Sequence, residues 1–286
     1  MGVRIKYSGD MLTAVRRLRD VLRNDDSEVP LDIAALELST IEFPKLDLEA
    51  SLFRLENLSE QVRAQGSEQL SGLDFIRALN ELLFDVLQYR GNESDYYDPR
   101  NSCLNAVLSR RLGIPISLSV LYMEIARRLG RNVGGIGLPG PILVISAAEM
   151  SRNWIDPFHR GRILTFDDCC DLVRERANVD IRVNPGWFAP MTKRQILLRM
   201  LGNLKAIYLQ GQAFAKARLV LDLLIEARPD QAEEYHHRGL VHLRQLNHRA
   251  AKADLEMYLR LEPNAPERHQ VEQQLLLIEK WKATWN

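Results

Sequence analysis

Histidine and cysteine are scarce in this 286-residue chain, and their spacing is poor for chemistry. Of the six histidines only His159 precedes the last third, where His236, His237, His242, His248 and His269 fall. His236 and His242 are six positions apart and His237 and His242 five, neither being the four-residue step that puts two ligands on one helical face. The three cysteines, Cys103, Cys169 and Cys170, are odd in number and two are adjacent. That is no disulfide framework, and it lacks the paired spacing of a zinc site. The expectation is a reducing compartment, the cytoplasm, with no cofactor and no metal. Net charge is absent too: 38 basic residues balance 38 acidic ones, so no global field favours a polyanion and no nucleic-acid partner is expected. No apolar run approaches the roughly 18 residues that would span a bilayer, so no membrane partner is expected. The Met-Gly opening has Lys6 where myristoylation wants Ser or Thr, and no signal peptide is expected before the polar start.

What is present is mostly helix. With 46% hydrophobic and 27% charged residues the chain has the composition of a globular protein. The run from Gly113 to Gly130 carries its own start and stop: Gly113 ends what precedes it, Pro115 suits a first helical position, and Gly130 suits the residue past the end. Its apolar residues, from Ile116 to Leu129, keep to no single stripe, so this helix is expected to be central and covered on most sides. Amphipathic helices are predicted before it from Asp10 to about Arg23, Leu31 to about Thr40, Asp47 to Gln65 and Leu73 to Gln88, punctuated by Pro30, Pro44 and Gly/Ser pairs. A short helix from Leu104 to Leu112 follows, with Asn101 or Ser102 available as its cap. After Gly130 the period falls to about two. Asn132 to Gly137, Pro141 to Ile145 and Asn153 to Ile155 read as three strands of an antiparallel meander against the central helix, closed by Asp156-Pro157.

Helix then returns with an internal repeat. Ala217 and Ala251, Leu221 and Leu255, and Pro229 and Pro263 are each about 34 residues apart, the tetratricopeptide period. The second copy adds Tyr235 and Gly239, while the first has Tyr208 and no early glycine. A last helix from Glu267 to about Trp285 would cover the exposed end. The expected division is 1–190, an α+β domain, and 191–286, the repeats with their capping helix.

A helix N-terminus, then a strand, then a strand ending in Asp is the order that a Cys-His-Asp nucleophile system uses. The residues Tyr96-Tyr97-Asp98-Pro99-Arg100-Asn101-Ser102, Gly113 to Ser119, Leu138-Pro139-Gly140 and Ile155-Asp156-Pro157-Phe158 resemble the SirB-one family, bacterial proteins with a transglutaminase-like core followed by tetratricopeptide repeats. The resemblance covers about Asp10 to Glu279. It implies a papain-like core: a mostly helical α+β domain with a small antiparallel sheet, followed by an all-α tetratricopeptide module. It also implies that the nucleophilic cysteine position is held by Pro115 and that Pro141 stands where the family shows histidine. Asp156 alone occupies a triad position. Ser117, Cys103 and His159 are the remaining weak catalytic candidates, and a Ser117–Asp156–His159 triad would need geometry that a sequence does not display. The expectation is therefore a bacterial pseudoenzyme that binds a protein or peptide through Tyr96, Tyr97, Asp98, Arg100, Asn101, Ser117 and Asp156. The competing view is that Asn101 merely caps a helix, Asp156 pairs with a backbone group or an arginine, and the site is a relic. The runner-up function is an acyl-transfer enzyme, peptidase or transglutaminase-like, with a non-standard nucleophile.

Overall fold

The computed structural model describes residues 15–25, 27–66, 70, 72–138, 142–146, 153–177 and 185–284. Contacts along the chain divide it into two units, Met1–Met200 and Leu201–Asn286.

The first unit opens with α1 (Arg16–Arg23), which buries Leu18, Val21 and Leu22; residues before 15 in the helix expected from Asp10 lie outside the described residues. It is followed by α2 (Leu31–Ser39) and α3 (Leu48–Ala64), the latter started by Asp47, whose carboxylate accepts the Ala50 N–H at 3.0 Å. The single helix expected from Leu73 to Gln88 is in fact two pieces, α4 (Gly72–Asn80) and a π-helical stretch, Glu81–Val86. There the Leu87 N–H reaches back five residues to the Leu82 carbonyl at 2.8 Å. The wider turn lets the consecutive Leu82, Leu83 and Phe84 all be buried, which one stripe of an α-helix does not allow.

Strand β1 (Arg90–Gly91), a 3-10 turn (Pro99–Ser102), α5 (Leu104–Arg110) and β2 (Leu112–Gly113) lead into the central helix α6 (Pro115–Arg128). β1 and β2 pair in parallel, Arg90 with Leu112 and Gly91 with Gly113. Gly113 therefore serves as a strand residue; α5 stops earlier, where Arg111 takes a left-handed φ of 61°. The cap of α5 also differs from expectation. Neither Asn101 nor Ser102 caps it; Cys103 is the N-cap residue and its side chain makes no capping bond, and the Leu104 N–H finds the Ser39 hydroxyl of α2 at 3.1 Å. A distant hydroxyl has replaced a local one.

Every residue from Pro115 to Ala126 of α6 is buried. Helices α2, α3 and α5 contact it, as do β3 (Val133–Gly137) and β4 (Ile142–Ser146). Burying one of its Leu or Ile side chains contributes about 1.5–3 kcal/mol, so α6 is the centre of this core. It ends as read, with Gly130 at φ +73°, and Arg127 and Arg128 lie in its last turn, where cations suit the carbonyl ends. The sheet has one strand more than the expected three. Its order is β3, β4, β5 (Trp154–Asp156) and β6 (Arg162–Leu164), all antiparallel. A helix, α7 (Phe166–Ala177), and a 3-10 turn (Pro185–Phe188) follow. Pro139, Gly140 and Pro141 lie outside the described residues.

Helix α8 (Lys193–Gln210) starts in the first unit and ends in the second. The second unit continues with α9 (Phe214–Ala227), α10 (Ala232–Arg244), α11 (His248–Leu261) and α12 (Arg268–Thr284). Ala217, Leu221, Ala251 and Leu255 are all fully buried, and Pro229 and Pro263 each follow a helix end by two residues. A Cβ on Gly239 would stand 2.9 Å from Leu255, so the close approach of α10 to α11 requires glycine there. Across the same pair, Arg238 grips Asp254 with two nitrogens at 2.8 and 2.7 Å and Asp222 of α9 with a third at 2.9 Å.

Candidate functional site

Three segments meet at the N-terminal end of α6: the loop after β1, the 3-10 turn and the corner after β5. The first link is backbone. The Asn92 N–H donates to the Gly113 carbonyl at 2.9 Å, and the Gly91 N–H donates to the Phe158 carbonyl at 3.2 Å.

Asn101 fixes the loop. It is fully buried, and its Nδ2 donates to the carbonyls of Asp95 at 2.7 Å and Tyr96 at 3.2 Å. Its Oδ1 accepts from Asn92 Nδ2 at 3.0 Å, while Asn92 Oδ1 accepts from the Asp95 N–H. Two buried amides thus satisfy each other and pin the loop, which frees Tyr96 and Tyr97 for solvent, 38% and 61% exposed. Asp98 caps the 3-10 turn by accepting the Arg100 N–H at 2.9 Å, and its carboxylate pairs with Arg100 at 2.8 Å and with Arg110 at 2.9 Å. Burial alone would raise its pKa, but the Arg100 hydrogen bonds and the charges of Arg110 and Arg100 outweigh it and hold the carboxyl below the usual range.

Ser117 is the third residue of α6 and is fully buried. Its Oγ accepts the Ile114 N–H at 3.1 Å and donates to the Asn101 carbonyl at 2.5 Å. The hydroxyl is thus spent on starting the helix and holding the loop against it. Pro115 precedes it at the first helical position, buried. Cys103 is also fully buried, its Sγ 3.4 Å from the Pro99 carbonyl. Of the other thiols, Cys169 is buried in α7, where desolvation first, then neighbouring Cys170 and acidic charges, push its pKa up to about 12; it is protonated at neutral pH.

The corner after β5 holds an imidazole. Asp156 is buried, and its Oδ1 accepts the N–H groups of Phe158 and His159 at 3.0 and 3.3 Å. Its Oδ2 lies 2.6 Å from His159 Nδ1. The imidazole is 47% exposed, and among the described residues Asp156 is the hydrogen-bond partner of its ring. A carboxylate on Nδ1 with Nε2 open to solvent is how a general base is oriented, but neither Ser117 nor Cys103 is bonded to this histidine. The tyrosine loop and the dyad are joined through rings: Tyr97 meets Tyr96 edge-on at 5.5 Å, Tyr96 meets Phe158 at 6.2 Å, and Phe158 meets His159 at 5.1 Å. The structure thus places the Tyr96–Asn101 loop, Ser117, Asp156 and His159 around one end of α6, with Cys103 beneath.

Sequence reasoning did not single out Asn92, Arg110 or Arg199. Arg199 of α8 donates to the Leu138 carbonyl at 3.4 Å; burial lowers its pKa, and Tyr96 is the opposing influence. Asn92 had a signal, since Asn-Glu-Ser-Asp is an Asx-type turn sequence. The two arginines had none, being brought in by tertiary packing.

The chain has counterparts in sequence among known proteins. A family profile described as transglutaminase-like superfamily matches residues 49–202. The chain belongs to the transglutaminase-like superfamily. A tetratricopeptide repeat profile matches residues 204–276, after this transglutaminase-like core. The chain is similar to a UPF0162 protein of Xylella fastidiosa (strain 9a5c), 36% identical over 244 residues that cover 84% of this chain and 86% of that protein. A UPF0162 protein of Pseudomonas aeruginosa is 28% identical over 250 residues, covering 85% and 88%. F-box only protein 21 of Homo sapiens is 33% identical over 167 residues, 54% of this chain and 26% of that protein. Bacterial relatives thus share nearly the whole chain, and the animal one shares part of it. Among the described residues no helix is long and apolar enough to cross a membrane.

Proposed function

We propose that this chain is a non-catalytic protein- or peptide-binding protein of the cytoplasm, of the SirB-one kind, a pseudoenzyme built on the transglutaminase-like core. The observation that carries the reading is the use made of the N-terminus of α6. Pro115 fills the first helical position, and the Ser117 hydroxyl beside it is buried and bonded on both sides. A group there can neither deprotonate nor reach a substrate. Around it, Tyr96, Tyr97, Arg100 and His159 form an exposed aromatic and polar face on a rigid loop, with Asp98, Asn101 and Asp156 as its buried supports. Exposed aromatics beside an arginine are the residues on which binding energy concentrates. Tetratricopeptide repeats, which commonly mediate protein interactions, supply a second binding element.

The full-length protein and a Tyr97→Ala/Arg100→Ala double variant, matched in circular dichroism, would be compared as bait in a bacterial lysate by quantitative mass spectrometry. A partner held by the first and lost by at least tenfold from the second supports the reading, about 1.4 kcal/mol or more at the face. Identical retention by both would move binding off this face.

One observation favours a second reading. The 2.6 Å Asp156–His159 contact is a base already oriented, so an acyl-transfer reaction whose nucleophile comes from the substrate or water would use it. That reading requires turnover that His159→Ala abolishes and Tyr97→Ala does not.

A further inference from the structure

The other end of α6, about 20 Å from the face just described, opens on a second cleft. Its volume is about 560 Å³, within the range of ordinary small-molecule sites. The floor is apolar: Leu31 at the start of α2, Met123 of α6 and Ile196 of α8 line it and are otherwise buried. β3 closes one side. The Met191 N–H donates to the Gly135 carbonyl at 2.8 Å and Ile136 bridges Pro190, so the edge of the sheet is covered there. Val133, two residues earlier, directs its N–H and C=O the same way as Gly135 and lines the cleft. One strand residue does not make a ladder, so what the cleft admits is set by its side chains.

Most of the charges around it answer one another. Glu124 is shared by Arg127 at 2.9 Å and Arg128 at 3.0 Å, and Asp32 also pairs with Arg128. Arg131 donates to the Leu70 carbonyl, and its guanidinium stands 4.9 Å over the Phe75 ring. Lys193 and Glu28 are the other ionisable residues of the lining. Lys193 opens α8, and its ammonium is fixed by the carbonyls of Ser27 at 2.5 Å and Val29 at 3.1 Å, with no carboxylate bonded to it among the described residues. An ammonium has three N–H donors, so one remains, together with the charge. Glu28 is exposed, where water and salt screen it, whereas Lys193 is partly buried and keeps more of its field. The cleft therefore asks for one negative charge beside an apolar floor.

We propose that this cleft is a binding site for a small molecule carrying one carboxylate on an apolar body. The carboxylate takes the remaining Lys193 donor, and the body lies on Leu31, Met123 and Ile196. A dianion such as a phosphate monoester would meet more repulsion from Glu28 for the same single donor.

The test is amide NMR of the ¹⁵N-labelled full chain titrated with octanoate, octanamide, octyl phosphate and acetate. Saturable shifts at Leu31, Val133 and Lys193 are expected with octanoate, about tenfold weaker or more with octanamide, which lacks the charge, and with acetate, which lacks the body. Octyl phosphate should bind no more tightly than octanoate. Lys193→Gln, matched to wild type in circular dichroism, should weaken octanoate about tenfold and leave octanamide unchanged. The comparison of ligands on the unmodified chain decides the matter even where that variant fails to fold. Equal affinity for octanoate and octanamide, octyl phosphate bound about tenfold more tightly than octanoate, no saturable shift at these amides at millimolar concentration, or shifts confined to Tyr96–Arg100 would overturn the proposal. The Tyr97 face is tested by other residues and another readout, so either can fail alone.

Discussion

Ser117 Oγ takes the Ile114 N–H and gives its proton to the Asn101 carbonyl, so one side chain starts α6 and anchors the loop that carries Tyr96 and Tyr97. Ser117→Ala leaves two buried backbone groups unpaired and should cost about 1–3 kcal/mol in urea denaturation. A variant that keeps its stability would mean that the hydroxyl is not doing this structural job. Asp98 gives a pH test. Its carboxyl is held below the usual range, so its contribution is complete above the unfolded value of about 4 and is lost as pH falls through the lower folded value. In Asp98→Asn that part of the acid dependence should vanish, so the stability difference between wild type and variant closes below about pH 4. Tyr96, Tyr97, Asp98 and Asn101 were legible as one turn because they fall within six residues of a polar stretch. Arg110 and Arg199 were not, because only the folded chain brings them there.

At the scale of elements, α6 was readable because proline and glycine mark its ends and its apolar residues go all the way round. β6 was not: Arg162-Ile163-Leu164 is too short to show a period, and pairing with β5 makes it a strand. The π-helical stretch was read as ordinary helix, since a one-residue widening leaves no mark on composition. It faces Gly161, which has φ +71° and whose added Cβ would lie 2.5 Å from both Asn80 and Phe84. Gly161→Ala should therefore cost both the left-handed conformation and the overlap, about 2 kcal/mol or more. Gly66→Ala, at φ +74° with nothing within 4 Å, should cost only the first, about 1 kcal/mol. Equal losses in thermal denaturation would show that the contact at Gly161 relaxes freely.

At the scale of the molecule, the 34-residue period read from alanine, leucine and proline positions was legible because each of those positions is a helix contact or a helix stop. The histidines of the repeats were not legible as titrating groups, because burial is not written in their spacing. Burial first of all lowers the pKa of His236, His237 and His242. A depressed folded value means stability that is present above the unfolded value, near 6.5, and lost as pH falls through the folded one. The helices α10 and α11 should lose hydrogen-exchange protection, corrected for intrinsic rates, as pH falls below about 6.5. His237→Gln should flatten that dependence; protection that stays constant or grows on acidification would contradict the burial argument.

The central claim is that the N-terminus of α6 holds no reactive group, so the core binds rather than catalyses. Intact-protein and peptide mass spectrometry after treatment with a fluorophosphonate and an iodoacetamide tests it most directly. The account predicts no adduct on Ser117 or Cys103 in the folded protein, with labelling of Cys103 appearing only when denaturant opens the core. A stoichiometric adduct on either residue under native conditions, removed by His159→Ala, would contradict it and make that residue the nucleophile of an acyl-transfer enzyme.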